Sequence, residues 1–357
     1  MKAEGFIQEI WLAESLLSGT QEEVSLLLQL QKEFPGLKVV SKPKGTRPGK
    51  SAALNYGLKF ARGEVIGVFD ADTRVARDFL KKSIPLLSPS IIGGVQGKVR
   101  IYNPQSSLLT SLQNDEFTVM VNFSQLSKEI FGGVPTLAGN GQLVKREVLA
   151  KVEGWNELSI TEDMDLSIKM LLKGYRIRYC PQAVLWQEGI QTPARLLRQR
   201  IRWAEGLLKC LFDYCWAILC CPATIIQKAD ISLSLFRVTM SLWVIIGYVY
   251  SLFAALFWGK FYSVLPAIVL VIASWVLFFG MVLAMHKEAT ANLFKLSWKV
   301  LRYWAYNFFW VMAVPVGFIN VIRRMGSIVW DKTSHQGDVP RAEVHVPGSL
   351  LPVEIIE

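Results

Sequence analysis

Residues 65–75 read VIGVFDADTRV, an apolar run of strand type that stops at two aspartates, Asp70 and Asp72, one residue apart. The segment before it, SAALNYGLKFA, sets Ala52, Ala53, Tyr56 and Phe60 on one helical stripe, with Gly63 just past its end. A helix feeding a strand through a short turn is half of an α/β unit, and open α/β sheets bind ligands beyond the carboxyl ends of their strands. On an extended chain a spacing of two puts both carboxylates on one face. Carboxylates this close repel unless a cation joins them, and Mg2+ or Mn2+ accepts carboxylate and phosphate oxygens together. A turn carrying two solvated aspartates accounts for the same residues.

The α/β pattern extends both ways. Upstream, QEEVSLLLQLQKEF (21–34) predicts an amphipathic helix, KVV (38–40) a short strand, and SKPKGTRPGK (41–50) a basic loop with Lys44, Arg47 and Lys50. Lys50 and Asn55 lie in GKSAALN, where a helix start and an ammonium both favour phosphate; a solvated basic loop is the plainer alternative. Downstream, the pattern predicts helices near 77–87, 108–126 and 162–173 and strands near 94–102 and 176–189. Glu162 and Asp163, in TED, open one of these helices. Acidic residues in a first turn are ordinary partners of the helix dipole, and a carboxylate there also suits a general base. Gln199, Arg202 and Trp203 of QRIRW share a helical face, as an interfacial anchor or as an amide, a guanidinium and an indole offered to a ligand.

Beyond Trp203 the chain, 52% hydrophobic overall, turns strongly apolar. Segments near 238–258, 261–285 and 303–322 each approach the roughly 20 residues that cross a bilayer. Trp and Tyr sit near their ends, as at membrane interfaces. Lys287, Lys295, Lys299 and Arg302 mark the second connection as cytoplasmic, whereas Lys260 is the one charge in the first. The third segment has basic residues on both sides and Pro315 within it, which suggests an interfacial or re-entrant course. Residues 206–227 read as an interfacial helix. The net charge of +10 therefore points to a membrane surface rather than nucleic acid, and no signal-peptide pattern opens the chain. The five cysteines form no CxxC pair, which fits a reduced compartment without structural disulfides. A transporter is disfavoured because the apolar segments hold no acidic residue to couple ions.

Taken in order, GKSAALN, DADT, GNGQLVKREVL…GW, TED and QRIRW, followed by apolar helices, resemble the membrane-embedded branch of glycosyltransferase family 2. That branch includes the cellulose, hyaluronan and poly-N-acetylglucosamine synthases. The resemblance covers roughly 26–337 and implies a GT-A-like, Rossmann-like cytoplasmic domain followed by a helical transmembrane region. By the resemblance, Asp70 and Asp72 hold Mg2+ or Mn2+ on a nucleoside diphosphate, and Lys50 and Asn55 lie near the nucleotide. Asp163 is the catalytic base with Glu162 beside it. Gln199, Arg202 and Trp203 brace the diphosphate and acceptor, Gly139, Asn140 and Gly141 shape the acceptor site, and Trp330 falls where a gating loop is expected.

The implied organisation is a transferase domain over 1–205, an interfacial helix over 206–230, membrane helices over 231–325 and a tail over 326–357. The implied activity is inverting transfer from a nucleotide-sugar, expected to be UDP-linked, to a polysaccharide or lipid at the inner or plasma membrane. QxxRW favours a polymer. One departure stands out: the family's opening strand and its Asp-Asp strand have no counterpart in MKAEGFIQEIWLAESLLSGTQEEV, so the first part of the nucleotide-binding fold is expected to be missing. A shortened product, an inactive membrane subunit, and a pocket completed by a partner chain all account for that.

Overall fold

The computed structural model describes residues 10–14, 29–34, 36–41, 47, 49–258, 280 and 293–323. Lys44, Trp330 and all but Gly280 of the segment 261–285 lie outside the described residues.

Strand β1 (Ile10–Glu14) pairs in parallel with β2 (Leu37–Ser41), Ile10 opposite Leu37. This corrects the expectation that no strand precedes β2. The segment IWLAE lacks the alternation of an exposed strand, and its pairing across more than twenty intervening residues is a tertiary choice.

The main sheet has five strands in the order β3 (Val65–Val68), β6 (Gln142–Lys145), β5 (Ile92–Ile101), β7 (Arg176–Gln187), β4 (Arg74–Val75). Strands β5 and β7 are parallel, and the other pairs are antiparallel. Helix α1 (Lys50–Leu58) leads into β3. The short helix α2 (Phe79–Ser83) runs into a 3-10 turn over Ile84–Leu87 where Pro85 enters. One core lies between β3, β6 and the helices α5 (Arg146–Lys151) and α6 (Glu162–Leu172), built on Val68, Val144, Val148, Trp155 and Met170. The other packs Phe79, Val95, Val99, Leu143 and Leu185. Of the stripe expected on α1, Ala52 and Ala53 are buried, while Phe60 is exposed beyond the helix end and packs edge-on against Tyr56.

The long helix expected over 108–126 is three pieces: α3 (Leu108–Thr118), a π-helical stretch Val119–Gln125, and α4 (Leu126–Phe131). Ser107 and Thr110 form a capping box at its start. Helix α7 (Pro193–Cys220) carries QRIRW and continues unbroken across the boundary expected at 205/206. Next come α8 (Ile225–Phe236), a 3-10 turn, α9 (Met240–Trp258), α10 (Leu293–Tyr306) and α11 (Phe308–Arg323). Pro315 lies inside α11 and does not end it. Gly317 brings α11 against the backbone of Ala204 and Glu205 on α7. Among the described residues, two helical stretches are long and apolar enough to cross a membrane, Ile225–Gly247 and Leu301–Arg323.

Candidate active site

The end of β3 sets the site. The strand stops at Val68, and Asp70–Ala71–Asp72–Thr73 turns back, with Thr73 N–H donating to Asp70 O at 3.0 Å. The two aspartates therefore sit in a turn rather than on one face of an extended strand. Asn140, 3% exposed, holds that turn: its Oδ1 accepts from Asp70 N–H at 3.3 Å and from Thr73 Oγ1 at 3.1 Å. Its Nδ2 donates to Gln187 Oε1 at 3.2 Å, at the end of β7. The flanking backbone is fixed as well. Gln96 Nε2 donates to Asn140 O at 2.9 Å, and Gly141 N–H donates to Val68 O at 2.9 Å. The 139–141 segment, expected at the acceptor, is in this structure the clamp under the aspartate turn.

Lys50, the first residue of α1, points its ammonium into this corner. Nζ donates to Asp70 Oδ1 at 2.6 Å and to Gly139 O at 2.8 Å, and lies 3.8 Å from Glu162 Oε1. Burial opposes its charge, but Asp70, Glu162 and Asp163 outweigh burial and hold the ammonium above its ordinary range. Asp163 is half-buried, and its Oδ1 accepts from Met164 N–H at 2.8 Å. Burial, and then repulsion from Glu162, push it up to about 7, against the pull of that N–H and of Lys50. Gly139 has φ +72°, and a Cβ there would lie 3.2 Å from Asp163 Oδ2, so the close approach of loop and carboxylate requires glycine. The structure thus brings Lys50, Asp70, Gly139, Glu162 and Asp163 together from four separate stretches of chain.

Asp72 lies on the far side of the turn, where its charge adds to that of Glu188 on Tyr102. Burial first, then Glu188, push the Tyr102 phenol up to about 12, although the Arg74 guanidinium stacks 4.3 Å from its ring. This Arg74–Tyr102–Glu188 group escaped the sequence reading, since no spacing links its members. Asn55, expected at the nucleotide, is turned elsewhere. Its Nδ2 donates to Trp155 O at 2.8 Å and Glu157 Oε1 at 3.1 Å, and its Oδ1 accepts from Trp155 N–H at 2.9 Å, tying α1 to the GWNE loop. Among the described residues, no group of three or more His, Cys, Asp or Glu side chains is arranged to hold a metal ion.

Helix α7 approaches the TED corner at Gly206, where the side chain of Thr161 leaves no room for a Cβ. Cys210, one turn on, has its thiol 3.7 Å from Thr161 Oγ1. Trp203 is one turn before Gly206. Its ring lies 4.3 Å from the guanidinium of Arg200 and 6.3 Å from the ring of Trp310 on α11. Gln199 Oε1 accepts from Arg200 Nη1 at 2.5 Å. The sequence singled out Gln199, Arg202 and Trp203 but passed over Arg200, which is fully buried and pairs with Glu116 on α3. A charge inside QRIRW but off its shared face was the one available signal.

A family model described as "Glycosyl transferase family group 2" matches residues 65–320, from β3 to α11. The chain belongs to that family. This glycosyltransferase is 30% identical over 338 residues to a beta-monoglucosyldiacylglycerol synthase of Synechocystis sp., covering 92% of this chain and 68% of the relative. It is 36% identical over 159 residues to a poly-beta-1,6-N-acetyl-D-glucosamine synthase of Staphylococcus aureus, covering 44% of this chain and 38% of the relative. The chain thus spans about two thirds of the first relative and well under half of the second. A mannosyltransferase of Pyrobaculum calidifontis, solved with GDP-Man and Mn2+, superposes with a TM-score of 0.58 at 20% identity, over 89% of this chain and 80% of that one. That likeness establishes the GT-A-like α/β fold.

Proposed function

We propose that this glycosyltransferase moves a sugar, with inversion, from a UDP-sugar to the hydroxyl of a membrane lipid, its catalytic corner facing the cytoplasm. The observation that carries the reading is one ammonium. Lys50 gathers the aspartate turn, the glycine loop and the TED carboxylates into a single corner. That corner pairs the Asp70 carboxylate, with Asp72 across the same turn, with a second acid whose affinity for protons is tuned to neutral pH.

Asp163 is the base. It ionises near neutrality, where a general base is most effective, and takes the proton from the acceptor hydroxyl as that oxygen attacks the anomeric carbon. Attack opposite the leaving diphosphate inverts the centre. Glu162 raises the basicity of Asp163, and the Lys50 ammonium, 3.8 Å from Glu162, attracts both carboxylates. Asp70 and Asp72 supply hard oxygen donors of the kind that hold Mg2+ or Mn2+, with Asp70 sharing one oxygen with Lys50, so the donor set fits such an ion completed by diphosphate oxygens. Bound there, the cation offsets negative charge on the departing nucleotide. Arg202, Gln199 and Trp203 share α7 with Gly206, which packs on Thr161, and their chemistry suits the diphosphate and the acceptor.

A lipid acceptor is favoured because the alignment with the glucosyldiacylglycerol synthase runs over 92% of this chain, the apolar helices included. The membrane location rests on the two candidate spans, 12% and 22% buried, where a core helix would be mostly buried. Ile225 and Trp243 are exposed within the first of these, and Trp216 on α7 and Phe257 on α9 extend the exposed apolar surface. Lys299 on α10 pairs with the buried Asp115 at 2.7 Å, which keeps that basic helix on the side of the catalytic domain. We therefore retain 1–205 as transferase and 206–325 as membrane-associated helices, with α7 shared by both. A polymer product remains the second reading, supported by QRIRW and the poly-N-acetylglucosamine synthase relative.

The test is the full chain in diacylglycerol-containing vesicles with Mn2+ and radiolabelled UDP-glucose. A single labelled glycolipid in the organic phase is expected. Label retained as an insoluble or aqueous polymer supports the second reading. No transfer together with no UDP binding points to a non-catalytic subunit.

A further inference from the structure

Arg200 sits where a charge is least at home. It is 0% exposed and lies between Gln199 and Trp203 on α7. Burying a guanidinium is strongly unfavourable unless its charge is matched and its hydrogens are bonded; here both terminal nitrogens have partners, while Nε is buried without one. The match comes from three other helices. Its Nη2 donates to the carboxylate of Glu116 on α3 and to Tyr306 Oη, at 2.8 Å, on α10. Glu116, 3% exposed, is saturated in turn. Its Oε2 accepts from Arg200 and from Tyr306 O–H at 2.8 Å, and its Oε1 accepts from Trp310 Nε1 at 3.0 Å, on α11.

The consequence lies on the other edge of the guanidinium. Nη1 donates to Gln199 Oε1, which fixes which end of that amide faces inward and leaves Nε2, a pure donor, to face the other way. The face of the same guanidinium lies against the Trp203 ring, whose far neighbour is Trp310. One buried ion pair thus sets the orientation of two of the three QRIRW side chains. Helix α3 is itself anchored to the chain after β7, where Gln113 Nε2 donates to Ile190 O at 2.7 Å and Gln113 Oε1 accepts from Ile190 N–H at 3.0 Å.

We propose that Glu116 is a positioning residue for transfer, acting through Arg200 to aim the Gln199 amide donor and the Trp203 indole, and that it makes this aim depend on the seating of α10 and α11. The inference rests on the assignment of Gln199 and Trp203 to the substrate site.

The test compares Glu116→Gln with Asn320→Ala in the full chain in vesicles. Asn320 Nδ2 donates to Glu205 Oε2 at 3.0 Å, another polar tie between α7 and α11 that touches neither Gln199 nor Trp203. The probes are Mn2+-dependent UDP binding by calorimetry and turnover of UDP-glucose at saturating donor and lipid. For Glu116→Gln, the melting midpoint falls below that of Asn320→Ala because the Arg200 charge is left unmatched, and turnover falls on the order of tenfold to a hundredfold with UDP affinity close to that of Asn320→Ala, which turns over like wild type. Adding Arg200→Gln to Glu116→Gln removes the uncompensated charge and brings the melting midpoint back towards wild type, but it does not restore turnover. Wild-type turnover in Glu116→Gln overturns the inference, and so does a loss of turnover matched by Asn320→Ala. A wild type that binds no UDP and transfers nothing overturns the functional reading itself, and the inference with it.

Discussion

The ammonium of Lys50 and the carboxylate of Asp70 meet at 2.6 Å, although the first opens a helix and the second follows the strand after it. The same Nζ faces Glu162 and the field of Asp163, so one cation balances three acids gathered from two ends of the domain.

Removing that cation has a directional effect. In Lys50→Met, Asp163 loses the charge that helps it ionise, so its proton is held to still higher pH. The acid limb of the transfer profile moves to higher pH, and turnover at neutrality falls about tenfold or more. Turnover measured from about pH 5.5 to about 9 shows this, and an unmoved limb contradicts it.

Asp163 itself yields two expectations. As a base it must be ionised, so wild-type turnover rises as pH climbs through about 7 and then levels. Asp163→Asn reduces turnover by about a hundredfold to ten-thousandfold with UDP affinity nearly intact. For stability the sign is opposite. The folded carboxyl is raised above its usual value of 3.8, so the folded state binds more protons than the unfolded one between that value and about 7. This contribution is therefore full in acid and is lost as pH rises through that window. Asp163→Asn accordingly melts higher than wild type at pH about 8 and shows no such gain at pH about 5.

Metal dependence is read at the turn. Asp72→Ala loses the part of UDP affinity that Mn2+ confers, so calorimetry with and without a chelator gives one value for the variant and two for wild type. Equal Mn2+ enhancement in both excludes Asp72 as a ligand.

Asn140 is a structural bet. Truncating it to Ala strips partners from the Asp70 N–H, Thr73 and Gln187 in a buried place. A loss of about 1–3 kcal/mol in urea unfolding is expected, together with weaker UDP binding as the aspartate turn loosens. Unchanged stability leaves the turn held by other means.

The order GKSAALN, DADT, GNG, TED and QRIRW sufficed for the family and the fold class, because strand and helix periodicity and the acids that end a strand are local properties of the chain. Most elements fell within a few residues of expectation for the same reason. Strand β1 did not, since a five-residue strand without alternation declares itself only by its partner.

Within the site, the sequence by itself determined which chemical groups exist: the paired aspartates, the TED acids, one lysine at a helix start and a QRIRW helix. Only the tertiary structure decided how they are used. It bent Asp70 and Asp72 into a turn, gave Asn140 to that turn and Asn55 to the GWNE loop, and set Arg200 on Glu116. Tyr306 and Glu116 meet across 190 residues of chain. Spacing along a sequence carries no information about such a contact, because it arises from helices packing to bury apolar faces, after which the buried charges must find one another.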